Sequence, residues 1–420
     1  MIRSIGIVLE RIMGRGAGCV TTHFFLEAGV WTMRVIGLIF ALFATQVSAA
    51  VLETEITPKM REMGCTARLS GAIETGDLDR FRPFLETPRS GNMGSDTYVE
   101  DLIFRNFAPA TDFAPDGFFT HRICLDSPGG SLVEAMRIVE YIRQQSASQI
   151  GGPSGIQTAI AQGDRCESAC AYVFFAGRFV RFSGSKNYEG RSNHLLHPLG
   201  RLGLHAPFIS FSEQNYAVDD VEAIWRVGMM ATSLISRQIA QGNIFMSNDL
   251  FSEMVTFLPT EMLVVETVGQ AVRWDINVEP NLLSNGSYGF SEEVFVDSLC
   301  RNAVSLVPDY FDMQVSGSSG GISRNADGVV HSNRVFTEKF SERSYRCAIP
   351  SGTWKQFQED LQWRFNGEPR QRQVYTCFNS TVVFETVEDC YQCDIEIVSP
   401  CIAVFPPDLS LSEVYSPMPQ

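Results

Sequence analysis

Residues 163–178, GDRCESACAYVFFAGR, are the stretch on which the fold turns. Ser168 sits between Cys166 and Cys170, with a polar, glycine-led run before it and the apolar run AYVFFAG after it. This pattern predicts a loop that delivers Ser168 to the start of a buried helix. The first turn of a helix carries backbone N–H groups without intrahelical partners, and its dipole favours negative charge. A serine there can do either of two jobs. It can cap the helix, a common task for serine. It can also attack a carbonyl while a neighbouring N–H holds the oxyanion.

Working outward, residues 121–145 read HRICLDSPGGSLVEAMRIVEYIRQQ. Residues 122–126 are expected as a strand and SPGG as a turn, where glycine permits positive φ and close backbone approach. Leu132, Met136, Val139 and Ile142 recur at helical spacing after it. The two glycines make either a tight turn alone or a turn that aims an N–H at a ligand. Further strands are expected at 65–73, 156–161, 179–182 and 202–208, the last with His205 near its end. Residues 219–240 are expected as an amphipathic helix with Val221, Ile224, Val227, Met230, Leu234 and Ile239 roughly on one face, and residues 260–274 as a last helix. The polar stretch 183–200 looks like an insertion, and His194 and His197 within it are expected on the surface. Beyond about residue 281 the alternation of VYTCFNSTVVFETV and CDIEIVSPCIAVF favours strands. Residues 316–328, SGSSGGISRNADG, have the composition of a flexible loop.

The chain has 420 residues, 45% hydrophobic and 19% charged, which fits a globular protein of two domains or one large one. Its formal net charge of -15 argues against nucleic acid and anionic membrane surfaces as partners. Residues 33–50, MRVIGLIFALFATQVSAA, have the layout of a secretory signal: one arginine, a short apolar run, then small residues at 47–49. The run is too short for an ordinary membrane span. Translation is therefore expected to start at Met33, with residues 1–49 removed and no stable span left; an uncleaved anchor is the alternative. Ten cysteines follow, an even number that suits disulfides in an exported chain. Zinc is the competing reading for Cys390-x-x-Cys393, but the nearest histidine in sequence is His331.

Cys166 and Cys170 are four apart. In a regular helix such Cβ atoms lie roughly 5–6 Å apart, wider than the ~3.5–4.5 Å a disulfide prefers. If the helix begins near Ser168, Cys166 belongs to the loop and can swing toward Cys170. Two separate thiols, or a bond from either one to Cys124, are the other readings.

Three stretches occur in a telling order: DSPGGSL at 126–132, CESACAYVFFAG at 166–177 and LHAP at 204–207. Together they resemble the Clp protease proteolytic subunit within the crotonase-like group, and more closely its periplasmic relatives with a cysteine pair around the serine. The resemblance spans roughly residues 65–275. It implies an α/β fold with a repeated β-β-α core over 50–280; it does not reach residues 281–420, where the alternation and the cysteines instead suggest a smaller, β-rich, cysteine-containing region. It implies Ser168 as nucleophile, His205 as general base, and Gly130 and Ala169 as oxyanion donors. The acid of the triad falls near Val255 or Thr256, with Asp249 and Glu253 the nearest carboxylates N-terminal to it. Cys166-Glu167 departs from the small residues usual before the family serine, and the gap to His205 is longer by about the 183–200 insertion.

The implied activity is a periplasmic or secreted serine peptidase acting on peptides or unfolded protein, without an ATP-driven partner, metal or cofactor, and with room for self-association into a homo-oligomer. The alternative is a catalytically silent fold kept for binding or assembly. An acyl-CoA enzyme is a third reading, disfavoured because coenzyme A is not expected outside the cytoplasm.

Overall fold

The computed structural model describes residues 49–86, 120–148, 155–179, 191–207, 218–257, 261–278, 291–306, 313–316, 321–338, 344–355, 358, 380–386, 395–399 and 401–414. Residues 33–48 of the leader expected over 33–50, residues 183–190, Cys377, Cys390 and Cys393 lie outside them. Residues 50–420 form one compact unit, so the change of texture near 281 falls inside it.

The N-terminal part runs β1 (Val51–Glu53), α1 (Pro58–Glu62), β2 (Ala67–Ser70), α2 (Asp77–Leu85), β3 (Thr120–Asp126), α3 (Leu132–Ser148) and β4 (Gly155–Ile160). Next come β5 (Arg165–Glu167), α4 (Ala169–Phe175), β6 (Arg178–Phe179), β7 (Arg191–Ser192), β8 (His194–Leu196) and β9 (Arg201–Leu204). Helices α5 (Val218–Ala240) and α6 (Asn248–Met254), β10 (Leu263–Val264), α7 (Val268–Arg273) and β11 (Asn277–Val278) complete it. The central sheet has the order β1-β2-β3-β4-β8-β11, with β1 antiparallel and the rest parallel. Every residue of β4 is buried, as a parallel strand covered on both faces must be. Helix α4 is apolar all round and buried at all seven positions, which fixes it in the core beside α3. A three-stranded sheet of order β10-β9-β5 leans against this core, and Ser127 at the end of β3 bridges to Cys166 in β5.

The C-terminal part is sheet-rich, as expected: β12 (Met313–Ser316), β13 (Ile322–Arg324), β14 (Val330–Glu338), β15 (Ser344–Ile349), β16 (Ser380–Thr386) and β17 (Ile395–Ser399) form one antiparallel sheet. A 13-residue helix, α8 (Glu292–Val304), covers it with Phe295, Val296 and Leu299 and is tied to β15 by a Cys300–Cys347 disulfide.

Several expectations are corrected. Residues 260–274 are not one helix: β10 pairs with β9, and only α7 is helical, capped by Thr267 and Gln270. The glycine-rich 316–328 stretch is not all loop, since Ile322–Arg324 pairs with β14. The 191–200 part of the supposed insertion supplies a strand of the central sheet, and His194 and His197 are fully buried in it rather than on the surface. The apolar face expected over 219–240 is bare at Val221 and Met230. Among the described residues, no helix is long and apolar enough to cross a membrane.

Candidate active site

Strand β5 runs parallel to β9 with Glu167 opposite Gly203, and it also brackets Ser127 through Ser127 N–H to Arg165 O and Glu167 N–H to Ser127 O. The next residue, Ser168, has φ 55° and ψ -123°. For a residue with a Cβ such a conformation costs on the order of 1–3 kcal/mol and persists only where the surroundings impose it. The chain itself supplies the contrast with capping. Thr57, Ser247, Thr267 and Ser291 precede helices with negative φ, and each accepts a bond from its first turn. Ser168 makes no such bond, so its hydroxyl is not spent on the helix.

Two constraints impose that backbone. The Ser168 N–H donates to Gly203 O at 3.0 Å, tying it to β9. Cys166 and Cys170 are disulfide-bonded with Cα atoms 5.2 Å apart, which clamps the loop to the first turn of α4. Helix α4 does begin after Ser168, so Cys166 lies in the strand and the bond escapes the spacing of a regular helix. Cys124, the other candidate partner, is bonded to Cys65.

The SPGG turn closes the site from the other side. The Gly129 N–H donates to Ser127 Oγ at 3.1 Å, and Gly129 takes φ +96° against Ser168. The bridge between Ile73 and Gly130 uses Gly129 O and Ser131 N–H, leaving the Gly130 N–H turned away from Ile73. Among the described residues neither that N–H nor the Ala169 N–H at the start of α4 has an acceptor.

His205 follows directly on β9, two residues past Gly203. It is 7% exposed, and its Nδ1 lies 2.8 Å from Ala206 O. A carbonyl only accepts, so in this contact Nδ1 is the donor. The side chains of Ser168 and His205 make no hydrogen bond to each other in this structure. Geometry of this kind is often loose before substrate binds. Asp249 and Glu253 are not brought to His205: Arg273 takes Asp249 at 2.6 Å and Glu253 at 3.7 Å on the surface of α6 and α7.

An ion cluster behind the turn had no sequence signal, because its members come from four separate stretches. Arg68 binds Asp126, Asp164 and Glu53, while Lys59 also binds Asp164. Burial opposes the Arg68 charge, but bonds and attraction from Asp164, Asp126 and Glu53 outweigh it and its pKa is raised. Asp126 Oδ1 also accepts from the Arg165 N–H at 3.1 Å. One carboxylate thus links the strand before the SPGG turn to the strand before Ser168. Among the described residues no group of three or more His, Cys, Asp or Glu is arranged to hold a metal.

No protein-family model matches the chain, and no curated protein does either. Among solved structures it is similar to the membrane-bound stomatin-specific protease 1510-N in a serine-to-alanine mutant form, at 17% identity and a TM-score of 0.28, over 50% of this chain and 76% of that one.

Proposed function

We propose that the protein is an exported serine peptidase of Clp type, built on a repeated β-β-α core over residues 50–280 with residues 281–420 as a cysteine-bearing appendage. The observation that carries this reading is the backbone of Ser168, held at positive φ between a strand and a helix with no capping role. Export is supported by the three disulfides among the described cysteines.

In this reading Ser168 Oγ attacks the scissile carbonyl of a peptide or unfolded chain and its proton passes to His205 Nε2. The oxyanion is held by the Gly130 and Ala169 N–H groups. Collapse expels the amine, which takes the proton from His205, and water then releases the acyl group by the same route. The Ala206 carbonyl orients the imidazole but stabilises imidazolium less than a carboxylate does, so a modest turnover is expected. Asp249 or Glu253 can serve only after leaving Arg273. That occupied state of both acids is the observation that favours the second reading, a silent Clp-like fold used for binding or assembly in the periplasm.

A fluorophosphonate serine probe separates the two. The peptidase reading expects labelling on Ser168, abolished in Ser168→Ala and in His205→Ala. Labelling that survives Ser168→Ala means another serine is the nucleophile, and a folded wild type that takes no label supports the silent fold.

A further inference from the structure

Helix α8 and the C-terminal sheet do not close on each other completely. Between them lies a cavity of about 130 Å³. Its floor is apolar: Phe295 and Val296 of α8, Val330 at the start of β14 and Ile349 at the end of β15, none of them more than 4% exposed. Trp354, half-buried, forms a side wall, with its ring centroid 5.2 Å from that of Phe295.

Three ties hold α8 at its distance from the sheet. Cys300 is bonded to Cys347, two residues before Ile349. Arg334 of β14 binds Asp297, with Nη2 3.0 Å from Oδ2. Arg324 of β13 binds Glu292 at 2.6 Å. Walls pinned at three points along one helix resist collapse into the space between them. The lining of an unfilled space lacks dispersion partners on that side, and a ligand of matching shape supplies them.

Size narrows the occupant. Cofactors and drug-sized ligands occupy about 300–1,000 Å³, whereas an apolar cavity of about 150 Å³ takes a single benzene ring. The space therefore suits one ring or one branched aliphatic side chain. Charge narrows it further. Glu292, Arg324 and Lys355 stand at the mouth, and Lys355 is exposed there. Arg324 already engages Glu292, so the mouth carries one acid against two bases. Aromatic walls also suit an organic cation, but the two bases oppose one. An apolar group with an anion beside it matches both floor and mouth. The last residue of a peptide has this form when its side chain is apolar, because side chain and carboxylate leave the same carbon.

We propose that this cavity binds the apolar C-terminal residue of a peptide, its side chain against Phe295 and Trp354 and its carboxylate beside Lys355. The proposal does not rest on the peptidase reading, which probe labelling of Ser168 tests separately. Its own test is isothermal titration calorimetry on the full chain carrying Ser168→Ala, so that hydrolysis cannot consume the ligand. Acetyl-Ala-Ala-Phe should bind with a dissociation constant of about 1 mM or tighter. The same peptide as its C-terminal amide should bind about threefold to fivefold more weakly. Trp354→Ala should weaken both by about tenfold. Lys355→Glu, a surface change that leaves the fold alone, should abolish the preference for the acid. Absence of saturable binding, an amide bound as well as the acid, or a preference that survives Lys355→Glu overturns the proposal. So does 3-phenylpropionate bound more tightly than the tripeptide, which would assign the cavity to a free aryl carboxylate instead of a chain end.

Discussion

A Cβ built on Gly129 would stand 2.7 Å from the Cβ of Ser168 and 2.6 Å from the carbonyl oxygen of Glu167. The SPGG turn and the serine loop therefore touch through backbone, and neither can move without the other. The contact joins two stretches some forty positions apart in the chain, and it accounts for glycine at this position twice over, by φ and by space.

Gly129→Ala should accordingly damage the site more than the fold. The methyl group forces the serine loop outward and strains a backbone at φ +96°. A displacement of about an ångström at a reacting group costs on the order of a hundredfold in rate. Probe labelling of Ser168 is expected to fall by about that factor, while thermal unfolding shows a loss of roughly 1–3 kcal/mol. Labelling at the wild-type rate would show that the turn does not set the serine.

Ser127 makes a subtler case. Its hydroxyl accepts the Gly129 N–H, and its backbone brackets β5. Ser127→Ala keeps the backbone bonds and leaves a buried N–H without an acceptor, a cost of about 1–3 kcal/mol. The turn loosens around Gly130, so kcat should fall about tenfold or more with KM little changed. An equal rise in KM at constant kcat would point to substrate binding instead.

The order DSPGGSL, CESACAYVFFAG and LHAP was enough to place the turn, the serine loop and the strand before His205, because each is a local pattern with a local cause. The mixed α/β architecture and the sheet-rich C-terminal part were legible for the same reason. What the sequence could not show was set by distant partners. His194 and His197 look like surface residues amid polar neighbours, yet β8 joins the central sheet between β4 and β11 and buries both. Residues 260–274 carry a helical pattern, but pairing with β9 claims Leu263 and Val264 as strand. Asp249 and Glu253 sit at the expected place in the chain, and Arg273, twenty residues or more further on, decides where they point.

The disulfides allow stability and positioning to be told apart. Cys65–Cys124 closes a loop with a separation of 59 residues, and Cys166–Cys170 one of 4. Loop-closure entropy assigns about 4 kcal/mol to the first and about 2 kcal/mol to the second. Removing Cys65 and Cys124 together should lower the unfolding midpoint more and leave the serine loop intact. Removing Cys166 and Cys170 together should lower it less and abolish most probe labelling, since Ser168 lies between them at positive φ. Trypsin without reduction should release CESACAYVFFAGR with its own internal bond and no partner attached. A peptide free of any bond would sink the positioning argument.

The last prediction concerns acid. Burial pushes the pKa of His194 down to about 4, with its bond to Asp275 O working the other way, and burial pushes His197 down to about 4 as well. His194 packs against the rings of Phe174 and Phe175, and Leu199 N–H donates to His197 Nδ1 at 2.9 Å, a bond that needs the neutral ring. An unfolded histidine titrates near 6.5. Between that value and about 4 the unfolded chain holds more protons, so stability is full above pH 6.5 and falls as pH drops toward 4. The two shifts correspond to roughly 3 kcal/mol each. Glu62, 3.9 Å from His197 Nε2, favours the charged ring and trims the second. Urea midpoints measured at half-unit steps from pH 7.5 to 5 should therefore decline, mostly below pH 6.5. Replacing His197 with Gln should flatten part of that decline, because glutamine cannot take up the proton. A wild-type midpoint that stays level down to pH 5 would mean these rings are reached by water.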